Sequence, residues 1–254
     1  MYRTGTDGNA VLRGTLDGTE LGQLTTVLEG VPSADFHDGG ALAFGPDGYL
    51  YVGTGDAGVR EAAQDPATLQ GKILRMTAEG APAPGNPDPG SPVWTSGHRN
   101  VQGFGWDADG TMYASEFGEN AYDELNVIEA GANYGWPEVE GPGGAEDSGF
   151  TDPVAWWPTV EASPSGLAVT SDAVYLAALR GERLWRVPIA GSSAGGRHAL
   201  GAPQALLAGE LGRLRNVVAV GASDADGLWL LTNNTDGRGE PRDGDDRLVR
   251  VEIE

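Results

Sequence analysis

A histidine in a His-Asp-Gly-Gly run is the first position whose surroundings suit catalysis. His37 stands in the run Asp35-Phe-His-Asp-Gly-Gly, directly before a short apolar segment. A free imidazole titrates close to neutral pH and can therefore take a proton from a hydroxyl group. A structural histidine with satisfied hydrogen bonds is the alternative interpretation. His37 is thus a candidate general base.

Arginines provide a second set of candidates at similar places in successive segments of the chain. They are Arg99, with Asn100 beside it, Arg180, Arg213 and Arg215. Residues two apart share one face of a strand, and guanidinium groups bind carboxylates in a two-pronged manner. Each arginine alone can equally pair with a local carboxylate, but the set as a whole favours convergence on one anion.

Two polar loops are rich in oxygen donors. They cover residues 115–126 and 131–137, and hard oxygen donors in irregular loops are typical of calcium sites. The runs that begin at Asp107 and Asp224 lack the glutamate that an EF-hand needs, so both are predicted to be turns. Asp245-Asp246 is predicted to face solvent.

A tryptophan adds one candidate for ligand contact. Trp157 lies in the run Trp156-Trp-Pro-Thr. Its indole can stack on a flat ring, although packing in the core is the alternative for any tryptophan.

The elements that must position these residues form a repeat of about 60 residues. Each of four units has a strand, a turn, a second strand and a further strand. The turns lie at Asp47, Asp109, Asp172 and Asp226, and the further strands begin at Lys72, Glu124, Arg183 and Arg247. Short strands in a regular repeat with Asp-Gly turns predict an all-β fold, a β-propeller formed by residues 1–254 as a single domain.

The first residues indicate that the chain begins within a blade. Residues 1–16 are predicted to be the last two strands of a preceding blade, which gives about four and a half blades in all. Long segments rich in Gly, Pro and acidic residues connect the blades. In propellers such loops gather at one mouth of the channel, and we expect the functional site there.

Composition excludes several classes of protein. The 254 residues carry a formal net charge of -21, which disfavours nucleic-acid and anionic membrane partners. The absence of Cys excludes disulfides and thiolate sites, and no apolar run is long enough for a membrane span. The start has no signal-peptide pattern, so the protein is either cytoplasmic or lacks its true N-terminus.

Six motifs together resemble a known family, the soluble sugar dehydrogenases that depend on pyrroloquinoline quinone (PQQ). The motifs are His37-Asp-Gly-Gly-Ala-Leu-Ala-Phe-Gly-Pro-Asp-Gly, Gly71-Lys-Ile-Leu-Arg, Gly97-His-Arg-Asn-Val-Gln-Gly, Asp123-Glu-Leu-Asn, Asn133-Tyr-Gly-Trp-Pro and Gly212-Arg-Leu-Arg. The resemblance implies a six-bladed propeller that oxidises an aldose sugar at its anomeric carbon. A histidine base acts with PQQ as hydride acceptor, and electrons pass to an external acceptor.

The resemblance also implies roles for individual residues. His37 matches the base, and Trp157 matches an aromatic residue over the substrate pocket. The positions that hold PQQ are matched by Arg99, Asn100, Arg180, Arg213 and Arg215. Gly118 and Glu119 match residues whose carbonyls hold a calcium ion at PQQ, and Glu124 and Tyr134 match a second calcium site. An extracytoplasmic location and a monomer or homodimer are implied as well.

Some features depart from the family pattern. Arg180 replaces a lysine of glucose-dehydrogenase members and Phe36 replaces an aspartate, both of which resemble the aldose sugar dehydrogenase branch. The family's first blade, much of its second and a Gln-bearing loop have no counterpart here, so we interpret the chain as a fragment. The alternatives are a shortened propeller that closes on its own, a calcium-dependent lactonase-type hydrolase and a non-catalytic propeller.

Overall fold

The regular secondary structure of the chain is almost entirely β-strand. The computed structural model describes residues 1–144, 148–192, 198–220 and 227–252, which form 21 strands and a short 3-10 helix, Arg60–Ala63. Contacts between Cα atoms divide the chain into two compact units. The first unit is Met1–Val101 with Glu129–Thr151, and the second is Gln102–Ile128 with Asp152–Glu254.

The first unit contains three antiparallel sheets. One has the order β1-β2-β5, a hairpin pairs β3 with β4, and a four-stranded sheet has the order β6-β7-β8-β9. The strands are β1 (Tyr2–Arg3), β2 (Asn9–Arg13), β3 (Leu16–Asp17), β4 (Glu20–Leu21), β5 (Thr25–Val31), β6 (Leu42–Phe44), β7 (Leu50–Gly53), β8 (Ile73–Met76) and β9 (Val93–Thr95).

The second unit contains three further sheets. Their strand orders are β10-β11-β12-β13, β14-β15-β16-β17 and β19-β20-β21. In the second of these sheets, β18 also pairs with β16. The strands are β10 (Val101–Trp106), β11 (Met112–Glu116), β12 (Tyr122–Ile128), β13 (Ala155–Pro158), β14 (Pro164–Val169), β15 (Ala173–Ala178), β16 (Arg183–Ser192), β17 (His198–Leu200), β18 (Gln204–Leu206), β19 (Leu214–Ala219), β20 (Leu228–Thr232) and β21 (Leu248–Val251).

Strand β15 shows how these sheets are stacked. All six of its residues are buried, because a strand exposes alternate side chains to two opposite faces and both faces are covered here. Val174 and Leu176 pack in one cluster with Leu125 of β12 and Ala155 of β13. Ala173, Tyr175 and Ala177 pack in another cluster with residues of β19 and β20. In the first unit, Val11 of β2 packs against β7 and β8 in the same face-to-face manner.

The repeat predicted from the sequence corresponds to these sheets. Each of its four units forms one antiparallel sheet, and Asp47 and Asp107 close two turns by accepting backbone N–H groups through their carboxylates. The turn predicted at Asp224 and Asp226 lies outside the described residues.

The prediction for the start of the chain was incomplete. Residues 1–16 do supply β1 and β2, but β5 completes their sheet and the β3–β4 hairpin precedes it.

Candidate active site

The first unit places His37 against a buried carboxylate. His37 lies in the loop between β5 and β6, and its Nδ1 is 2.8 Å from Oδ1 of Asp56. The His37 side chain is 20 % exposed and the Asp56 side chain only 1 %. An ionised carboxylate can only accept, so Nδ1 carries the proton and Nε2 is left as the basic nitrogen.

Asp56 is held in its ionised form. Burial disfavours the charge, but hydrogen bonds from His37, from the backbone N–H of Gly58 and from the Trp136 indole outweigh it and lower the pKa of Asp56. The Trp136 Nε1 donates to Oδ2 at 2.9 Å and Gly58 donates to Oδ1 at 2.9 Å. Asp56 therefore fixes both the tautomer and the orientation of the His37 ring.

Sequence reasoning missed Asp56. It stands in the run Gly53-Thr-Gly-Asp-Ala-Gly after β7, which has the composition of an ordinary turn. A signal was nevertheless present in Gly55, because a Cβ atom there would lie 1.7 Å from the carbonyl oxygen of His37. This close approach of two loops requires glycine and brings Asp56 to His37.

Arg99 and Asn100 belong to the same group of residues. Both are buried, and they lie directly before β10. The Arg99 carbonyl accepts the Asp56 N–H at 2.8 Å, and its guanidinium lies 5.4 Å from the Trp136 ring. Asn100 accepts the N–H of Gly39 at 3.0 Å, next to His37. The first unit thus brings His37, Arg99 and Asn100 together around Asp56, which the sequence did not single out.

The second unit contains the other predicted arginines. Arg180 is exposed just after β15, whereas Arg213 is buried before β19. Arg213 donates to Oδ2 of Asp236 at 2.9 Å, and its buried Nε has no hydrogen-bond partner within the described ranges. Arg215 is exposed. The pKa of Arg215 is nevertheless lowered, because nearby protein atoms desolvate its guanidinium and Arg213 adds a like charge. The attraction of Asp236 opposes this shift but does not cancel it.

The backbone at Arg213 is held by the loop between β20 and β21. Asn234 accepts the Arg213 N–H at 2.8 Å and donates to Oδ2 of Asp245 at 2.9 Å. Asp246 accepts the Asn234 N–H at 2.6 Å. The prediction that Asp245-Asp246 faces solvent was wrong for Asp245, whose side chain is 1 % exposed because it organises this loop.

The residues predicted for calcium lie in both units. Gly118 and Glu119 are half-buried in the loop between β11 and β12, where Gly118 donates its N–H to Oδ1 of Asp123 at 2.9 Å. Glu124, in β12, accepts from the Asn126 amide at 3.1 Å. Tyr134 belongs to the first unit and stacks on His98 at 4.6 Å. No group of three or more His, Asp or Glu side chains in the described part of the chain is placed to hold a metal ion.

Trp157 lies in the core of the second unit. It is 3 % exposed and packs against Trp185 with ring centroids 5.4 Å apart. Its neighbour Trp156 is 44 % exposed. This placement favours packing over ligand stacking for Trp157.

Comparison with known proteins identifies the family. The family model described as Glucose / Sorbosone dehydrogenase matches residues 1–249. The chain belongs to this family. Within the described ranges, no helix is long and apolar enough to cross a membrane.

Two curated relatives are similar to this chain over part of their length. The chain is 36 % identical over 146 residues to quinoprotein glucose dehydrogenase B of Acinetobacter calcoaceticus, which covers 49 % of this chain and 30 % of that protein. It is 35 % identical over 161 residues to the aldose sugar dehydrogenase YliI of Escherichia coli, and this match covers 59 % of this chain and 43 % of that protein. The chain therefore spans less than half of the curated relatives it matches.

Solved structures extend the similarity to the whole chain. The PQQ-bound aldose sugar dehydrogenase of Streptomyces coelicolor has a TM-score of 0.91 and 53 % identity, covering 100 % of this chain and 74 % of that one. A glucose dehydrogenase-like oxidoreductase of Thermus thermophilus has a TM-score of 0.88 and 43 % identity. This match covers 98 % of this chain and 77 % of that one. The predicted fold class, all-β of the β-propeller type, is confirmed, while the number of blades stays a prediction.

Proposed function

We propose that this chain forms the catalytic part of a PQQ-dependent dehydrogenase that oxidises aldose sugars at the anomeric carbon. The observation that carries the proposal is the hydrogen bond between His37 and the buried, ionised Asp56. The PQQ-bound relative and the quinoprotein relative support the cofactor. The lactonase-type alternative relies on carboxylate ligands to a metal, whereas the group assembled here is a His–Asp pair.

The proton-transfer step follows from the tautomer of His37. With its proton on Nδ1, His37 presents an unprotonated Nε2 that takes the proton of the sugar's anomeric hydroxyl. The imidazolium that results is stabilised by the charge of Asp56, as in other His–carboxylate pairs. PQQ, when bound, supplies the acceptor for the hydride that leaves the anomeric carbon.

The arginines of the second unit fit a cofactor with three carboxylates. Arg213 has a buried Nε with no partner in the ranges described, so it has donor capacity left for an anion. Arg215 carries a like charge whose repulsion with Arg213 a bound carboxylate relieves. Following the family resemblance, we assign Arg213, Arg215, Arg180, Arg99 and Asn100 to PQQ binding.

Calcium is part of the proposal through the chemistry of its donors. The loop that holds Gly118 and Glu119 offers oxygen ligands of the kind that calcium prefers. We assign these two residues to a calcium ion at the cofactor, and Glu124 and Tyr134 to a second ion. We also propose an extracytoplasmic enzyme, monomeric or dimeric, that delivers its electrons to an external acceptor.

Reconstitution tests the proposal directly. Folded protein is titrated with PQQ and Ca²⁺, and reduction of a dye by a panel of aldoses is followed. The variant H37N is the matched control, because Asn tolerates the positive φ of 58° at this position. We expect aldose-dependent dye reduction that falls by about 10²- to 10⁴-fold in H37N. Folded protein that binds no PQQ, or H37N with full activity, would refute the proposal.

A further inference from the structure

The chain's single lysine is buried beneath the candidate site. Lys72 is 0 % exposed, and its ammonium group donates to three backbone carbonyls. The acceptors are the carbonyls of Ala62 at 2.7 Å, Ala63 at 2.9 Å and Gln70 at 2.8 Å. An ammonium group has three donors, so all of them are used and none is left for a ligand. Lys72 is therefore placed to organise the backbone.

The segment around Lys72 is joined directly to Asp56. The Gln70 side-chain amide donates to the Asp56 carbonyl at 3.0 Å, and the Gly71 N–H donates to the Gly55 carbonyl at 2.9 Å. Thr54 receives the Lys72 N–H on its hydroxyl at 2.9 Å and donates its own N–H to the Lys72 carbonyl at 2.9 Å. Residues 54–56 are thus fastened to residues 70–72 at three successive positions.

The same segment reaches the loop that carries Arg99. The Ala63 carbonyl, which Lys72 holds, also accepts the Gly97 N–H at 3.0 Å. The His98 N–H donates to the Gly71 carbonyl at 3.1 Å. Lys72 consequently lies where the Asp56 loop, the 3-10 helix and the 97–100 loop are connected.

We propose that Lys72 is a positioning residue, which fixes the backbone from which Asp56 holds His37. A buried carbonyl must have a donor, and three convergent carbonyls from two segments need a donor with three diverging N–H groups. An apolar side chain of similar length removes the one donor that these three carbonyls share. The carbonyls of Ala62 and Ala63 keep the Thr68 hydroxyl and the Gly97 N–H, but the link through Nζ between the 60–64 and 70–72 segments is lost. The catalytic consequence rests on the proposed function, whereas the effect on His37 geometry does not.

Arg75, which lies three residues after Lys72 in β8, offers a matched control. It is also a buried cation, but its guanidinium contacts Asp47, Tyr51 and Asn86 rather than the Asp56 segment. Loss of either cation therefore removes a buried polar network. Only the loss of Lys72 is expected to affect His37.

Proton NMR of the protein without cofactor reads the geometry of His37 directly. The Nδ1–H of His37, hydrogen-bonded to Asp56, gives a slowly exchanging downfield resonance that H37N assigns and that D56N removes. We expect folded R75M to keep this resonance and folded K72M to lose it. If K72M does not fold, K72Q, which keeps part of the donor set, carries the same test. Retention of the resonance in a folded Lys72 variant overturns the proposal.

Kinetics then connect this geometry to turnover. Misplacing a catalytic group by about 1 Å lowers the rate by about 100-fold, so in reconstituted K72M we expect kcat to fall by about 10- to 100-fold with KM changed less than about twofold. An unchanged kcat in a variant that has lost the resonance overturns the positioning role. If the wild-type protein shows no dehydrogenase activity, the proposed function fails, and the NMR comparison still decides the role of Lys72.

Discussion

Replacing Asp56 by Asn is the most informative perturbation of the His37 site. The carboxylate faces three N–H donors, from His37, Gly58 and Trp136. An amide has one oxygen and one NH₂ group, so it cannot accept on both sides. If its oxygen faces His37, the Trp136 N–H is left unmatched. If its oxygen faces Trp136, the Gly58 N–H is unmatched and the proton of His37 moves to Nε2.

The magnitude follows from burial. The Asp56 side chain is 1 % exposed, so solvent does not compensate for an unmatched donor. A buried unsatisfied group costs about 1–3 kcal/mol, and hydrogen bonds to a charged group are worth about 1.5–3 kcal/mol. We therefore expect D56N to lower the free energy of unfolding by about 2–4 kcal/mol near pH 7. In the reconstituted enzyme, the wrong tautomer should lower kcat by about 10²- to 10⁴-fold.

Urea unfolding of the cofactor-free protein at several pH values measures this effect. The pKa of Asp56 in the fold is lowered below its ordinary value of 3.8, so its contribution to stability is present above that pH. The contribution is lost as the pH falls through the folded-state value. The difference between wild type and D56N should thus be present at pH 7 and shrink below about pH 4.

The control is D109N, which removes a carboxylate from an exposed turn and should change stability by less than about 0.5 kcal/mol. Equal stability of D56N and wild type at pH 7 would refute the structural role of Asp56. A difference that persists unchanged on acidification would refute the role of its charge.

Four further variants test other parts of the structure. R213M should weaken PQQ binding in a fluorescence titration by about 10- to 100-fold, since it removes charged hydrogen bonds, and unchanged affinity would exclude Arg213 from the cofactor site. N234A should lower the unfolding free energy by about 1–3 kcal/mol in urea melts, because the Arg213 N–H loses its acceptor, and no loss would contradict that support. W157F should lower stability without changing KM for the aldose, whereas a raised KM would favour the predicted substrate contact. G55A should abolish the downfield His37 resonance, because its Cβ would lie 1.7 Å from the His37 carbonyl, and a variant that keeps the resonance would refute the close approach.

Periodic features of the sequence predicted the strands well. Asp-Gly type turns between apolar segments located the first three strands of each of four sheets, because turn chemistry and strand patterning are local properties. The outer strands β9, β13, β17 and β18 were not located. Strand β5 was missed since its sequence, Thr25-Thr-Val-Leu-Glu-Gly-Val, has a Gly near its end and mostly exposed or half-buried positions. Its place in the sheet is decided by pairing with β2, which is a non-local contact.

Single residues were harder to predict than elements. His37 stood out by its motif, but Asp56 lies 19 residues away and is recognisable only once burial and the close approach at Gly55 are known. Asp245 looks like a surface residue in sequence, whereas backbone and amide donors surround it in the fold. Lys72 entered the sequence analysis only as the start of a strand and within the motif Gly71-Lys-Ile-Leu-Arg, since nothing local shows that three carbonyls converge on it.

The burial of Lys72 also has a practical consequence for chemical labelling. Because it is the only lysine, reagents such as succinimidyl esters find no accessible side-chain amine on the folded chain. Acylation of Lys72 must await local opening of the surrounding backbone, so its rate measures how often this region opens. Mass spectrometry of acylation at this single lysine can thus report whether a bound ligand makes the backbone around Lys72 more rigid.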